Sequence, residues 1–589
     1  MSEFAARLDA FLAEYFAFHP LRATTAGMHE HDSRWPDFSG SGRAERLAFY
    51  DRWAGEFEAF DDASLSVDER VDRDLIHGEL DAHRFGETDL REDRWSPLAW
   101  VYLLGEGIFL LIARDYAPLA QRLSSVAGRL EGLPAVLSAA REALAADAGL
   151  PVARFHVEKG LDQLPGVGDL IDDALRQAEA AETADAAVAA VVPRLRAAAE
   201  AAKAALVDFE HHLRESVLPR SEGEGRLGAE LFGRKLRHTF GTAEITADLI
   251  RDRAEREFAA VRAEMVRISR EIWPRWCRSE PAPDDEGALV RGVLDAIARE
   301  HGAKDDVLEF CRAELERIEA FCRERDLVGL TDEPLEIDWT PVFLRAFAGA
   351  MLNSPGPLDV GQKAFFSVTP VPDDWTAEQA ESYLRENNDR MNQLLVIHEA
   401  VPGHYLQGVY ANRCPSIVRS IFWSGPYAEG WALYVTQVMM DVGFADRDPA
   451  LLLSHWKFYL RSAANALIDI GINTANMTED EAMSLMVDGS FQEEAEARAK
   501  YDRARLSSTQ LCTYFVGSME MWDLERERRR QLAAASGDPR GADAVPEPRV
   551  VGGFGETPGF VYRTHLEEVL GHGSPPIPLL RRLVLGDGA

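Results

Sequence analysis

The sequence predicts a mainly α-helical protein, 589 residues long, with one small β-sheet. Three observations carry that expectation. Apolar residues recur at three- and four-residue steps over most of the chain. Two S/T-x-x-E/Q boxes, Thr376–Gln379 and Thr478–Glu481, mark helix starts. Only residues 334–372 depart from helical spacing, with prolines, aromatics and β-branched residues.

Taken in order, Phe4, Leu8, Phe11, Leu12, Tyr15 and Phe16 share one helical face. His29-Glu-His-Asp32 has the composition of a metal cluster, but its setting among turn residues reads as a solvated loop. Residues 41–86 read as helices carrying Leu47, Phe57, Leu75 and Leu80. Residues 98–148 read as more helices, broken at Pro118 and Pro134. The Ala-rich stretch 176–210 predicts a helical hairpin interrupted at Pro193, because its residues are strong helix formers. Gly- and Glu-rich Arg220–Leu227 reads as a hinge, giving an N-terminal helical region over 1–225 and a C-terminal region over 226–589 within one integrated fold.

In the second region Thr246 caps a helix with Ile250, Ala254, Phe258, Val261, Met265 and Ile268 on one face. A loop is expected from Trp273-Pro274 to Gly287, then helix to Arg325. Pro334–Arg345 alternates weakly, Asn353-Ser-Pro-Gly-Pro marks a turn, and Lys363–Pro370 is β-like. These predict a small antiparallel sheet at about 334–372, just upstream of a His-Glu stretch. An edge strand there either binds a peptide backbone by strand addition or is only a connection. Helices follow through Gln407 with a break at Pro402, then over 491–532. A Pro/Gly loop spans 537–558, and a short helix and a proline-rich tail close the chain.

Composition excludes several functions. The net charge of -35 leaves no basic footprint for nucleic acid. Five cysteines without a C-x-x-C pair argue against a disulfide framework or a thiolate metal site. The start has no basic-then-apolar leader pattern, and the most apolar window, Leu98–Ala113, contains Glu106 and is too short for a bilayer. The expectation is a cytoplasmic enzyme-sized protein with no membrane partner.

The chemistry concentrates at His398-Glu399-Ala-Val-Pro402-Gly403-His404. Zinc hydrolysis needs three protein ligands, an open position and a carboxylate that takes a proton from water. Two histidines six residues apart stand roughly 120° apart on a regular helix, so an undistorted helix cannot present both to one ion. Pro402 and Gly403 supply the distortion, since proline cannot donate to the ladder and glycine relaxes the backbone. The alternative is a helix end with two packed histidines. Glu429 lies in an apolar, aromatic segment with Tyr427, Trp431, Leu433 and Tyr434 and needs a partner, either a metal or an arginine. His398, His404 and Glu429 with Glu399 as base form a complete set for one divalent, zinc-like ion.

Two polar stripes complete the candidates. Asn465, Asp469 and Asn473 follow at four-residue steps, with Arg461 one turn earlier. Arg503, Gln510, Tyr514 and Gly517 share a second face. Each stripe reads as an interhelical hydrogen-bond network or as site lining. Tyr514 is the candidate oxyanion donor, and Asp469 the candidate for orienting a ligand histidine.

These motifs carry a resemblance. H-E-x-x-P-G-H at His398–His404, E-G-W-A-L-Y at Glu429–Tyr434 and Q-x-x-x-Y-x-x-G at Gln510–Gly517 resemble the bacterial "domain of unknown function 885" family. His19-Pro-x-x-Ala-Thr-x-x-Gly27 and His565-Leu-x-x-Val-Leu-Gly571 extend the likeness to both ends. That family is similar in fold to helical zinc carboxypeptidases of the Taq class and to thimet-type oligopeptidases. The resemblance implies a large helical metallopeptidase-like fold with its sheet beside the active-site cleft, His398, His404 and Glu429 as ligands and Glu399 as base. Two positions depart from the pattern: Asn473 stands where many members have His, and Ser508-Thr509 where many have Pro-Gly.

The expected function is a zinc-dependent metallopeptidase cleaving short peptides, of carboxypeptidase or oligopeptidase type. Rival readings are a non-catalytic peptide- or ligand-binding protein that keeps the fold, and a zinc amidase or esterase. Arg461, Arg503 and Lys363 are all candidate cations for a substrate C-terminus.

Overall fold

The computed structural model describes residues 2–145, 149–278, 281–340, 349–372, 375–537, 540–545 and 553–586. Helices dominate, and the chain divides into two compact units. The first comprises Met1–Leu227 with Pro355–Gln362; the second comprises Gly228–Ser354 and Lys363–Ala589.

The first unit is helical throughout its secondary structure. Its long helices include Gly40–Glu58, Val67–Phe85, Leu119–Leu144, Arg154–Glu182 and Ala186–His212. Pro134 and Pro193 do not end their helices but lie inside them. A helical proline costs ~3 kcal/mol; here buried Leu130, Leu133, Val136 and Leu137 surround Pro134 and hold the helix on course. His29 also departs from expectation. Its ring is anchored rather than solvated, with Nδ1 2.9 Å from Asp32 and Nε2 2.9 Å from Asp359, and it stacks on Tyr116 at 3.6 Å. The buried Arg129 supports the same corner, donating to the Asp32 carbonyl and to Thr24 Oγ1.

The second unit packs its helices around the site. The Thr246-capped helix runs Ala247–Trp276, through Pro274. Both capping boxes form as the sequence predicts, at Thr376 and Thr478. The helical stretch expected over 491–532 forms two helices, Glu494–Leu506 and Cys512–Ala535, and the proline-rich tail forms the helix Ile577–Leu585.

The sheet has three strands: β1 (Leu335–Trp339), β2 (Ala350–Asn353) and β3 (Ala364–Val368). The spatial order is β1-β3-β2. It is mixed, not antiparallel: β3 pairs antiparallel with β2 but parallel with β1. Period-2 patterning marks which face is buried and carries no information on direction; β1 and β2 run in opposite directions, so the strand between them is parallel to one of them. The continuation of the β1 stretch to Arg345 lies outside the described residues. Phe366 and Val368 of β3 share a core with Leu394, Val396 and Ile397 of the helix that carries His398, and with Trp431 and Val435 of the helix that carries Glu429.

Candidate metal centre

The His398 helix spans Asp389–Glu399, capped by Asn388, and stops where the sequence requires. Residues 400–403 are non-helical, the Val401–Pro402 peptide is cis, and a new helix runs His404–Asn412. The break folds tightly back on itself. Gly403 N–H donates to Ile397 O at 3.0 Å. A Cβ on Gly403 would stand 1.9 Å from the His398 carbonyl oxygen, so only glycine fits. Trp431 pins the outside of the break, its indole N–H donating to Pro402 O at 2.9 Å. Trp431 sits on the Glu429 helix, Gly425–Asp441, so this bond also fixes Glu429 beside the break.

The result is a convergent trio. His398 Nε2 lies 3.8 Å and His404 Nε2 lies 3.5 Å from Glu429 Oε2. One ligand atom from each residue lies within 4.8 Å of the others, and among the described residues no other group of three metal-binding side chains is so arranged. Tetrahedral zinc with ligands at ~2.0–2.2 Å demands about 3.3–3.6 Å between ligand atoms; the two distances to Glu429 lie in or just beyond this range, and the histidine pair lies within 4.8 Å. The His398 and His404 rings meet edge to face at 4.8 Å, and His398 also packs edge-on to Phe458 at 5.4 Å. His398 Nδ1 is buried without a hydrogen-bond partner, so packing rather than an acceptor holds that ring.

The electrostatics follow from burial and these contacts. Burial, then neighbouring His404, pushes the His398 pKa down to about 3, against the pull of Glu429. The neutral ring is the metal-binding form. For His404 burial works against charge, but the Glu429 hydrogen bond and the charges of Glu429 and Glu399 outweigh it and raise the pKa. Burial opposes charge on Glu429 as well, yet His404, His398 and the Tyr514 hydroxyl hold its pKa below the usual value. Glu399 differs: burial pushes it up to about 7, with Glu429 adding and His404 opposing. The Leu352 backbone also hydrogen-bonds the Glu399 carboxylate. Leu352 belongs to β2, an edge strand, which therefore borders the site.

Tyr514 comes from the Cys512–Ala535 helix. This helix and the Glu429 helix touch through glycines, Gly430 against Gly517, which places the Tyr514 hydroxyl on Glu429. Burial, then Glu429, pushes the Tyr514 pKa up to about 12, so the phenol keeps its proton. Arg503 Nη2 lies 3.0 Å from Gln510 Oε1 and 3.4 Å from the Tyr514 hydroxyl, so three members of the second stripe meet.

The first stripe splits. Arg461 pairs with Glu496 and lies 3.5 Å from Glu386. Asp469 does not orient a histidine. Its carboxylate accepts the backbone N–H groups of Thr509 at 3.2 Å and Cys512 at 3.3 Å, with Asn473 Nδ2 donating at 3.1 Å. Asp469 thus fastens the turn that starts the Tyr514 helix. Asn473 braces Asp469, and Asn465 is buried with Oδ1 unpartnered. Thr509, at one departure from the family pattern, adopts φ +65°, where glycine would be unstrained. Lys363, the third candidate cation, pairs with Glu336 on the sheet.

Sequence reasoning missed four charged neighbours: Glu386, Lys457, Glu496 and Lys500. A signal existed for two. Lys457 extends the four-residue stripe of Arg461, Asn465 and Asp469 by one turn, and Lys500 precedes Arg503 by three residues.

Comparison with solved structures gives five matching chains, two of them as follows. A "putative lipoprotein of unknown function" from Shewanella oneidensis aligns with a TM-score of 0.80 and 29% identity, covering 99% of this chain and 100% of that one. A "putative lipoprotein" from Colwellia psychrerythraea aligns with a TM-score of 0.78 and 16% identity, covering 99% and 98%, and supports the fold alone. Comparison with curated proteins gives no match. Residues 20–584 match the family described as "Bacterial protein of unknown function (DUF885)", and with that extent of match the chain belongs to this family.

Proposed function

We propose that the protein is a metal-dependent hydrolase of short peptides. The convergence of His398 Nε2, His404 Nε2 and Glu429 Oε2 around one point carries this reading. These three would hold one zinc-like divalent ion. Such an ion supplies Lewis acidity toward a carbonyl oxygen and lowers the pKa of a water molecule.

The residues around the trio divide the remaining work. Glu399 adjoins His398 and projects beside the trio, with a proton affinity near neutrality. It accepts a proton from water and returns it to the leaving amine, the general-base and general-acid steps of such a hydrolysis. The Tyr514 hydroxyl, protonated throughout the physiological range, donates to a carbonyl oxygen as that oxygen gains charge. The outer edge of β2, with which no strand pairs among the described residues, supports a peptide over other amides. An edge strand offers N–H and C=O groups to an extended backbone, and the Leu352–Glu399 contact puts that edge at the site.

Metal analysis of the purified protein combined with a peptide library read by mass spectrometry tests the reading. One equivalent of a divalent ion and cleaved products are expected. Glu399→Gln should keep the metal and lose turnover by about 10²–10⁴-fold. A protein that binds no divalent ion, or whose cleavage survives Glu399→Gln, is not this enzyme.

A further inference from the structure

Four cations, Lys457, Arg461, Lys500 and Arg503, gather on the side of Tyr514 away from Glu429 and Glu399. Lys457, Arg461 and Lys500 are held by two carboxylates, Glu386 and Glu496. Lys457 Nζ lies 2.9 Å from Glu386, and Lys500 Nζ lies 3.5 Å from Glu496. Arg461 spans both carboxylates. Arg503 is the fourth cation of this cluster, near enough that it and Arg461 each repel Lys500. In a chain of net charge -35 this is a local concentration of positive charge. Such a concentration favours a small anion over the surrounding acidic surface.

Arg503 differs from the other three. Its Nη2 contacts only neutral groups, Gln510 Oε1 and the Tyr514 hydroxyl. Among the described residues no carboxylate lies within ion-pair distance of it, and its side chain is exposed. Tyr514 in turn hydrogen-bonds Glu429. The guanidinium therefore stands two hydrogen bonds from a ligand of the candidate metal centre. A planar guanidinium matches a carboxylate with two parallel N–H···O bonds. The terminal carboxylate of a peptide lies one residue, ~3.3–3.6 Å of chain, beyond its last peptide bond. An anchor at this position suits that spacing.

We propose that Arg503 binds the C-terminal carboxylate of a short peptide whose last peptide bond lies at the His398–His404–Glu429 centre. The protein then removes single residues from the C-terminus; this rests on the hydrolase reading above. Water adds across the bond: the O–C bond forms at the carbonyl carbon, the C–N bond breaks, and a water proton ends on the leaving amine. A shortened peptide and one free amino acid are released.

A tripeptide and its C-terminal amide separate the possibilities. Calorimetric binding to the Glu399→Gln protein, with and without zinc, should favour the free acid over the amide by about tenfold or more. Arg503→Gln should bring acid and amide within about twofold, and Arg503→Lys, which keeps the charge but not the fork, should fall between. With Glu399 intact, the acid should release its last residue, and Arg503→Gln should raise KM more than it lowers kcat. Equal binding of acid and amide, or a preference unchanged in Arg503→Gln, overturns the proposal. If no peptide is cleaved but the Arg503-dependent preference persists, the hydrolase reading fails and the anchor stands. If acid and amide are cleaved alike, the hydrolase reading stands and the anchor falls.

Discussion

Gly430 and Gly517 meet backbone to backbone: a Cβ on Gly430 would stand 2.3 Å from the Gly517 carbonyl carbon, and one on Gly517 would stand 2.0 Å from the Pro426 carbonyl oxygen. At this crossing the two helices that carry Glu429 and Tyr514 therefore pack without side chains between them. Their separation sets the Tyr514–Glu429 hydrogen bond. Gly430→Ala should cost about 1–3 kcal/mol of stability, the usual penalty for overpacking, and should lower turnover more than metal affinity. Thermal melts and metal titrations of the variant check both halves. An unchanged melting temperature would mean the helices slide freely.

Metal binding should appear as stability. A ligand that binds only the folded state at about 1,000 times its Kd adds about 4 kcal/mol. Zinc should raise the unfolding temperature of the native chain, and a chelator should reverse it. His398→Ala, His404→Ala and Glu429→Ala should each abolish the rise, whereas Tyr514→Phe should retain it. Differential scanning calorimetry with and without zinc reads the outcome.

Thr509 reverses the ordinary ranking of alanine and glycine. At φ +65° its Cβ is strained, and its hydroxyl lies 2.8 Å from Thr239 Oγ1. Thr509→Ala loses the hydroxyl and keeps the strain. Thr509→Gly loses both. A left-handed L-residue costs about 1–2 kcal/mol, while the freer unfolded chain of a glycine variant returns about 0.4–1. Thr509→Gly should thus exceed Thr509→Ala in stability by about 1 kcal/mol in denaturant titrations.

His29 gives the first unit a pH-dependent tie. Burial opposes its charge, but hydrogen bonds and the charges of Asp32 and Asp359 push its pKa up to about 9. The folded pKa lies above the unfolded one, so the stabilisation is complete below about pH 6.5 and fades as pH rises through about 9. The side chain is 20% exposed, and a shift of this size corresponds to about 3 kcal/mol as an upper figure. His29→Gln should destabilise the chain at about pH 6 and approach the native chain at about pH 10. Urea unfolding of both proteins at the two pH values gives the difference directly; a constant difference contradicts the tie.

The parts of the site that the sequence made legible are those in which a local rule was broken. Six-residue spacing between His398 and His404 forbids a regular helix, and Pro402-Gly403 says where the departure falls; the structure breaks the helix at 400–403. The sheet was legible as strands but not in direction, because alternation records burial and not polarity. Asp469 was placed on the right face with the wrong partner, since a stripe shows which residues align and not what packs against them. Glu386 lies on a separate helix from the Arg461 it faces and shares no spacing with it, so only folding reveals the pair. Pro134 and Pro193 misled because a local cost was outweighed by long buried faces on either side; Pro274 sits in the last turn of a helix whose long buried face precedes it.

Pro355–Gln362 joins β2 to β3 in sequence yet belongs to the first unit. The chain therefore passes between units at three places, after Leu227, Ser354 and Gln362. No single cut in the gene yields either unit whole. A fragment starting at Gly228 carries eight residues stripped of their surroundings, and a fragment ending at Leu227 leaves His29 without Asp359. Exchange of units between relatives has to move two segments at once, which ties the inheritance of the helical first unit to that of the strands bordering Glu399.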